Sequence, residues 1–149
     1  MKKPGSKVIV LDAWAMMAYL NFEPAAQEVR QALRRALKGE VLLLFSLINY
    51  GECMYAVERK KGSEEVPKTA NVIDQLPVRV VPADRRLVFA AAHLKARYPI
   101  SYADAFAAAV AKRYGGRIMT GDPEFKALVS EVAVHWLPMR ETIKSRGRN

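Results

Sequence analysis

The stretch VIVLD at residues 8–12 decides the fold of this chain. Its four apolar residues are mostly β-branched and show no polar alternation, which is typical of a strand covered on both faces. The apolar run ends at Asp12, so a carboxylate stands at the carboxyl end of this strand. Helical patterns at residues 13–20 and 24–37 follow at once, and the segment therefore predicts the first strand of a βα unit.

The same alternation of strand and helix continues along the chain. We predict further strands at residues 41–45, 78–81, 117–120 and 132–137, and further helices at residues 46–61, 64–76, 84–98, 101–115 and 124–130. Ser101 with Asp104 three residues on predicts a capping box at one helix start. This order of elements predicts an α/β fold, with a parallel sheet, right-handed crossovers and helices on both faces.

Length and charge limit the kinds of protein this chain can be. Its 149 residues, 51% of them hydrophobic, suit a single domain, which we place at residues 1–139. A basic tail, residues 140–149, follows it; its cations are Arg140, Lys144, Arg146 and Arg148. Twenty-four Lys and Arg against fifteen Asp and Glu give a net charge of +9, which favours a polyanionic partner such as nucleic acid.

The amino-terminal segment and the single cysteine bear on the compartment. Lys2, Lys3 and Lys7 before an apolar run imitate a signal peptide, but Asp12 interrupts that run. No stretch reaches the roughly 18 uncharged apolar residues of a membrane span. One cysteine, Cys53, excludes an intrachain disulfide framework and suits a reducing compartment. We therefore expect a cytoplasmic protein without a membrane segment, and a packed Cys53 rather than a nucleophile.

Four carboxylates stand at informative places in the predicted fold. Asp12 and Asp122 follow strands, Asp104 opens a helix, and Glu52 lies two turns into a helix among apolar neighbours. The carboxyl ends of parallel strands share one edge, where ligands of such sheets bind, so these acids can converge there. Gathered carboxylates repel one another, and a divalent cation would remove that penalty.

Each acid also has an ordinary structural interpretation. Asp12 and Asp104 could cap helices, Asp122 could belong to a turn, and Glu52 could face solvent. Thr120, at a strand end, could support Asp122 through a hydrogen bond or serve the sheet alone. The case for a site rests on the four acids together.

The four acids lie in four short segments: VIVLD ending at Asp12, SLINYGE ending at Glu52, SYADAFAAA around Asp104, and IMTGDPEF around Asp122. Together these segments resemble the acidic motifs of PIN-domain ribonucleases, particularly VapC toxins. The resemblance covers roughly residues 8 to 138. It implies a PIN-like three-layer sandwich with strand order 3-2-1-4-5, a Mg²⁺- or Mn²⁺-dependent endoribonuclease with an RNA substrate, and an antitoxin partner. One departure is that Ala13 and Trp14 follow Asp12, whereas the family often has a hydroxyl residue one or two places after the first Asp.

The resemblance and metal chemistry together assign roles to the acids. Asp12 and Asp104 are expected to be the principal metal ligands, while Asp122 and Glu52 hold a second ion or metal-bound waters. Either Glu52 or Asp122 is expected to orient the attacking water. All four are thus both catalytic and metal-binding candidates. The resemblance and the high hydrophobic content also predict a homodimer.

Two other functional classes stay open from the sequence. The chain could be a catalytically silent RNA-binding or protein-interaction module on the same fold. It could also be a receiver-type phosphotransfer domain with Asp12 near phosphate. The second lacks the late-strand Lys of such sites, because Lys112 and Lys126 fall on predicted helices.

Overall fold

The computed structural model describes residues 7–139. The predicted basic tail at residues 140–149, and Lys2 and Lys3 near the start, lie outside the described residues. None of the helices in the described part has the length and apolarity that a membrane span requires.

The centre of the molecule is a five-stranded, all-parallel sheet with strand order 3-2-1-4-5. Its strands are β1 (Lys7–Leu11), β2 (Val41–Ser46), β3 (Arg79–Val81), β4 (Arg117–Thr120) and β5 (Val134–Trp136). The chain moves from β1 outward to β3 and then crosses to β4 on the other side of β1. The carboxyl ends of β1 and β4 therefore flank the switch point, where ligands bind in such sheets.

In the described part of the chain, six α-helices cover the sheet: α1 (Ala13–Leu20), α2 (Ala26–Leu37), α3 (Leu47–Lys61), α4 (Glu65–Asp74), α5 (Arg85–Arg97) and α6 (Tyr102–Tyr114). Alternate residues of β1 serve opposite cores. Val8 and Val10 pack against α5 and α6, whereas Ile9 and Leu11 pack against α1 and α2. The predicted three-layer sandwich is confirmed, and so is the predicted burial of the first strand on both faces.

Helix α6 lies deep in the molecule because its side chains are small. Every residue from position 104 to position 111 is buried, and five of these eight residues are alanine. Small side chains let the helix approach α5 and the central strands closely. The helix ends at Gly115, whose φ of 64° is left-handed and suits glycine. This packing holds the first turn of α6, which carries Asp104, in a fixed position at the sheet edge.

Several predicted boundaries are wrong. The helix predicted at residues 124–130 is a short 3-10 helix over Pro123–Leu128, of the kind that commonly connects longer elements. Helix α2 begins at Ala26, two residues after Pro24, which lies in a turn. The last strand has only three residues, since it pairs with β4 alone at the sheet edge.

Candidate active site

Asp12 lies at the carboxyl end of β1 and is 1% exposed. One carboxylate oxygen, Oδ1, accepts a hydrogen bond from the Ala15 backbone N–H at 2.8 Å and so caps α1. The capping interpretation is therefore correct, but it uses only one of the two oxygens. Burial raises the pKa of Asp12 to about 7, although the hydrogen bonds from Thr120 and Ala15 oppose this shift.

Thr120, at the end of β4, links two of the acids. Its hydroxyl donates to Asp12 Oδ2 at 2.5 Å and accepts from the Asp122 backbone N–H at 3.0 Å. The predicted hydrogen bond between Thr120 and Asp122 is present. The bond from Thr120 to Asp12 was not predicted, because 108 residues separate the two in the sequence. Thr120 supplies a hydroxyl contact to Asp12 although Ala13 and Trp14 have none to offer. It ties the ends of the two strands that flank the switch point.

Asp104 lies in the first turn of α6 and is 6% exposed. Ser101 caps this helix, because its hydroxyl accepts from the Asp104 backbone N–H at 3.0 Å. The reciprocal bond of the predicted capping box is absent here. The Ser101 N–H instead donates to Glu124 Oε1 at 2.8 Å. The capping-box prediction is thus wrong in its second half, because an acid from another element reaches this N–H, and the Asp104 carboxylate is not used for capping.

Three carboxylates form the tightest group of the site. Asp104, Asp122 and Glu124 each offer an oxygen, and these three oxygens lie within 4.8 Å of one another. Burial, the hydrogen bond with Glu124 and the charges of Asp122 and Asp12 together raise the pKa of Asp104 to about 9, and burial has the largest effect. Glu124 is not among the acids predicted from the sequence. Its signal was an acid two residues after Asp122, at the start of a short helix.

Glu52 reaches the same region from α3 and is half-buried. Its Oε1 accepts a hydrogen bond from Asn49 Nδ2 at 2.9 Å. Burial raises the pKa of Glu52, as do the charges of Asp122 and Glu124, whereas the bond from Asn49 lowers it. Glu52 is therefore partly open to solvent, but its carboxylate is held by a hydrogen bond within the site.

Electrostatic repulsion shows that the predicted acids share one region. The charges of Asp122 and Glu52 act on Asp12, and those of Asp122 and Asp12 act on Asp104. Within residues 7–139, none of these acids forms an ion pair with Lys, Arg or His. A buried group of acids without a cation is costly, and a divalent ion would offset that cost. The all-oxygen donor set fits Mg²⁺ or Mn²⁺ rather than a thiolate- or imidazole-seeking metal.

Trp14 and Gly121 form a close contact beside the acids. A Cβ added to Gly121 would lie only 2.2 Å from the Trp14 ring. The indole therefore packs directly on the backbone between Thr120 and Asp122, and only glycine leaves room for it. This contact holds the loop after β4 against α1.

Cys53 lies next to Glu52 in sequence but is fully buried, with its sulfur 4.0 Å from the Ala13 carbonyl oxygen. Burial raises the pKa of its thiol, and the charges of Glu52 and Asp12 raise it further. A thiol in this environment stays protonated and unreactive. The prediction that Cys53 is a packed residue is confirmed.

The sequence of this chain matches a known protein family. The model of the PIN domain matches residues 9–130, which include all four predicted acids and Glu124. The chain belongs to the PIN-domain family. Among curated protein sequences, none matches this chain.

Solved toxin-antitoxin structures have the same fold. VapBC2 from Rickettsia felis, bound to a promoter DNA fragment, is 14% identical with a TM-score of 0.69, over 88% of this chain and 99% of that chain. DNA-bound VapBC from Salmonella typhimurium is 17% identical with a TM-score of 0.66, over 87% and 97%. VapC20 from Mycobacterium tuberculosis, a Sarcin-Ricin loop cleaving toxin, is 22% identical with a TM-score of 0.59, over 80% and 93%. At these identities the likeness establishes the fold alone.

Proposed function

We propose that this protein is a divalent-metal-dependent endoribonuclease and the toxin of a toxin-antitoxin pair. One observation carries the proposal: Asp12, Glu52, Asp104, Asp122 and Glu124 gather at the switch point of the sheet without a cationic partner among the described residues. Such a group suits phosphodiester hydrolysis, in which a divalent cation neutralises carboxylates and substrate phosphate together. Membership of the PIN-domain family and the likeness to VapC20 support the choice of RNA.

The acids have separate tasks in this proposal. Asp12 and Asp104, the two buried ones, would be the principal ligands of Mg²⁺ or Mn²⁺. The half-buried acids, Glu52, Asp122 and Glu124, would complete the donor set, directly or through bound waters. When bound, the ion supplies Lewis-acid stabilisation of phosphate charge and a nucleophile at neutral pH. Glu52 and Asp122, which are only half-buried, accept hydrogen bonds from the attacking water and orient it. Cleavage of the P–O3′ bond leaves 5′-phosphate and 3′-hydroxyl ends.

The charge of the whole chain supports an RNA substrate. The net charge is +9, although the site itself is acidic, so the cations lie elsewhere. Lys and Arg that neutralise RNA phosphates release counterions and make binding salt-dependent. A catalytically silent RNA-binding module on the same fold would share this charge but would show no metal-dependent cleavage.

Cleavage of a mixed RNA pool tests the activity. The purified protein is incubated with Mg²⁺, with Mn²⁺ or with EDTA, and the new ends are tested for 5′-phosphate. We expect cleavage with either metal and none with EDTA. An Asp12→Asn variant prepared in parallel excludes a contaminating nuclease. RNA binding without cleavage under every condition would instead support the silent module.

An exposed apolar groove supports an antitoxin partner. It lies between α1, α3 and α4 and has a volume of about 350 Å³. Its charged border has three cations, Arg30, Lys61 and Lys68, and one acid, Glu65, which pairs with Lys68, so the border is basic overall. Phe22, at its edge, is 85% exposed and has a left-handed φ of 54°, which is unfavourable for an aromatic residue. An apolar patch with a basic border fits an amphipathic segment with acidic residues, and we assign this occupant to the antitoxin.

A suppressor test checks the partner. Expression of the chain in bacteria should arrest growth, and a genomic library from the source organism should yield a suppressor that protects the cells. Replacement of Phe22 by Ser should weaken that protection without reducing toxicity. Phe89→Ser is the matched control, because Phe89 is 59% exposed on α5 and lies outside the groove. Equal protection against both variants would contradict docking in the groove.

A further inference from the structure

Asn49 is a fully buried amide on α3, one turn before Glu52. Its Nδ2 donates two hydrogen bonds, one to Glu52 Oε1 at 2.9 Å and one to the Ala103 carbonyl oxygen at 3.0 Å. Ala103 immediately precedes Asp104 in the first turn of α6. A single amide group therefore joins the acid of α3 to the helix turn that carries the acid of α6.

The chemistry of the two acceptors determines the orientation of this amide. A carboxylate and a carbonyl oxygen can only accept, so the NH₂ group of Asn49 must face both of them. Both amide protons are thereby used. The consequence is that Asn49 Oδ1 points elsewhere, and no described residue donates to this buried oxygen.

Packing alone does not explain an asparagine at position 49. A buried polar atom without a partner costs free energy, and a leucine of similar size would avoid that cost. The chain nevertheless keeps an amide whose donors serve the site. Residues that orient metal-binding carboxylates through hydrogen bonds have this arrangement in metal sites generally.

We propose that Asn49 is a positioning residue, which holds the Glu52 carboxylate in register with the first turn of α6 and so sets the spacing between Glu52 and Asp104. The inference rests on the proposed function, because it assigns Asn49 a role in that same site. Without the amide, Glu52 can rotate away from the other acids, whose negative charges repel it. The donor set would then lose a member although no acid has been replaced.

The test combines metal affinity with a double-mutant cycle. Metal-free wild type, Asn49→Leu, Glu52→Ala and the double variant are titrated with Mn²⁺ by calorimetry, and RNA cleavage is measured at saturating Mn²⁺. Loss of an outer-sphere partner typically weakens metal binding roughly 10- to 100-fold, and we expect Asn49→Leu to fall in this range. In the Glu52→Ala background, the same replacement should cost little more, because Glu52 is the group through which Asn49 acts.

Asn71→Leu is the matched control, since Asn71 is an exposed asparagine on another helix, α4. It should bind Mn²⁺ as wild type does. Circular dichroism and thermal melting establish that each variant is folded. If Asn49→Leu does not fold, Asn49→Ala replaces it in the cycle with the same expected result, because its smaller side chain cannot clash.

Several results would overturn the inference. Wild-type Mn²⁺ affinity in a folded Asn49 variant would show that Glu52 does not need the amide, and full additivity with Glu52→Ala would show that Asn49 acts independently of Glu52. Misfolding of both Asn49 variants would assign the residue to the fold instead. If Glu52→Ala weakens Mn²⁺ binding and Asn49→Leu does not, only this inference fails. If wild type binds no Mn²⁺, the proposed function fails with it.

Discussion

The Glu124 carboxylate accepts a hydrogen bond from the backbone N–H of Ser101, 23 residues earlier in the chain, at 2.8 Å. In a capping box, the acid at position 104 would satisfy that N–H. Because Glu124 does so from the 3-10 helix after β4, the Asp104 carboxylate is left to face Asp122 and Glu124. One contact thus both completes the start of α6 and adds a fifth acid to the site.

Two substitutions should separate the two roles of Glu124, which are accepting the Ser101 N–H at the start of α6 and binding metal. Glu124→Gln keeps an oxygen that can accept from the Ser101 N–H but removes the charge, so thermal stability should hold while Mn²⁺ affinity falls roughly tenfold. Glu124→Ala removes both, and should also cost about 1 kcal/mol of stability, as the loss of a helix cap does. Calorimetry and thermal melting measure the two effects. Wild-type Mn²⁺ affinity in Glu124→Gln would contradict a ligand role.

Asp12→Asn and Asp104→Asn should each reduce the rate of RNA cleavage roughly 100-fold or more, because an amide keeps the shape of the carboxylate ligand but not its charge. The metal-free variants should melt at the wild-type temperature or above it, because a neutral amide replaces a buried carboxyl group whose ionised form the cluster disfavours. Cleavage assays and melting curves in EDTA test both statements. Full activity in either variant would refute its assignment, and a large fall in melting temperature would assign that acid to helix capping.

The metal-free protein should lose stability as pH rises. Asp12 and Asp104 have ordinary pKa values of 3.8, and burial raises them to about 7 and about 9 in the folded chain. Between the unfolded and folded values, the folded state binds more protons than the unfolded state, so their stabilising effect is complete below about pH 4 and is lost as pH rises through the folded pKa values.

Urea titrations in EDTA across this range measure the effect. Asp12→Asn should flatten the part of the profile between about pH 4 and about pH 7. Saturating Mn²⁺ should oppose the loss, because metal binds the ionised carboxylates. A metal-free stability that rises over the same range would contradict the burial of unpaired acids.

Gly121→Ala should disrupt the site without touching an acid. The new Cβ would lie 2.2 Å from the Trp14 ring, so either the indole or the backbone beside Thr120 and Asp122 must move. We expect a loss of roughly 1–3 kcal/mol in stability, as for other overpacked positions, together with reduced cleavage. Gly51→Ala is the control.

Gly51→Ala introduces the same methyl group as Gly121→Ala, but at a position with open space around it. A Cβ at Gly51 meets nothing within 4 Å on α3, so alanine there should be neutral or stabilising by up to about 1 kcal/mol. Denaturant unfolding compares the two variants. A second replacement, Trp14→Ala, should relieve the clash in Gly121→Ala, and its failure to do so would show that the strain arises elsewhere.

Much of the architecture could be predicted because local patterns carry it. Residues 8–11 are apolar without alternation, and the structure buries them on both faces of the central strand. The alternation of strands and helices led to a parallel sheet, whose carboxyl edge collects the residues that follow each strand. The proximity of Asp12, Asp104 and Asp122 follows from that topology. This proximity can be predicted without any knowledge of side-chain contacts.

Contacts between distant segments could not be predicted in this way. The bond from Thr120 to Asp12 spans 108 residues, and that from Asn49 to Ala103 spans 54. Each depends on rotamers and on distances between packed elements, which no local pattern encodes. The failed half of the capping box shows the same limit, because the local partner of Ser101 was displaced by Glu124, which the fold brings nearby.

The sequence therefore specifies the order of the elements, the sheet and the edge at which acids collect, since hydrophobic periodicity and chain connectivity act locally. The packed structure determines the partner of each acid. Asp12 caps α1, Glu124 accepts from the Ser101 N–H, and Glu52 accepts from the Asn49 amide. It also sets the protonation of Asp12 and Asp104, whose pKa values rise mainly through burial. Burial is a property of the assembled layers, and it arises when α1 and α6 close over the ends of the strands.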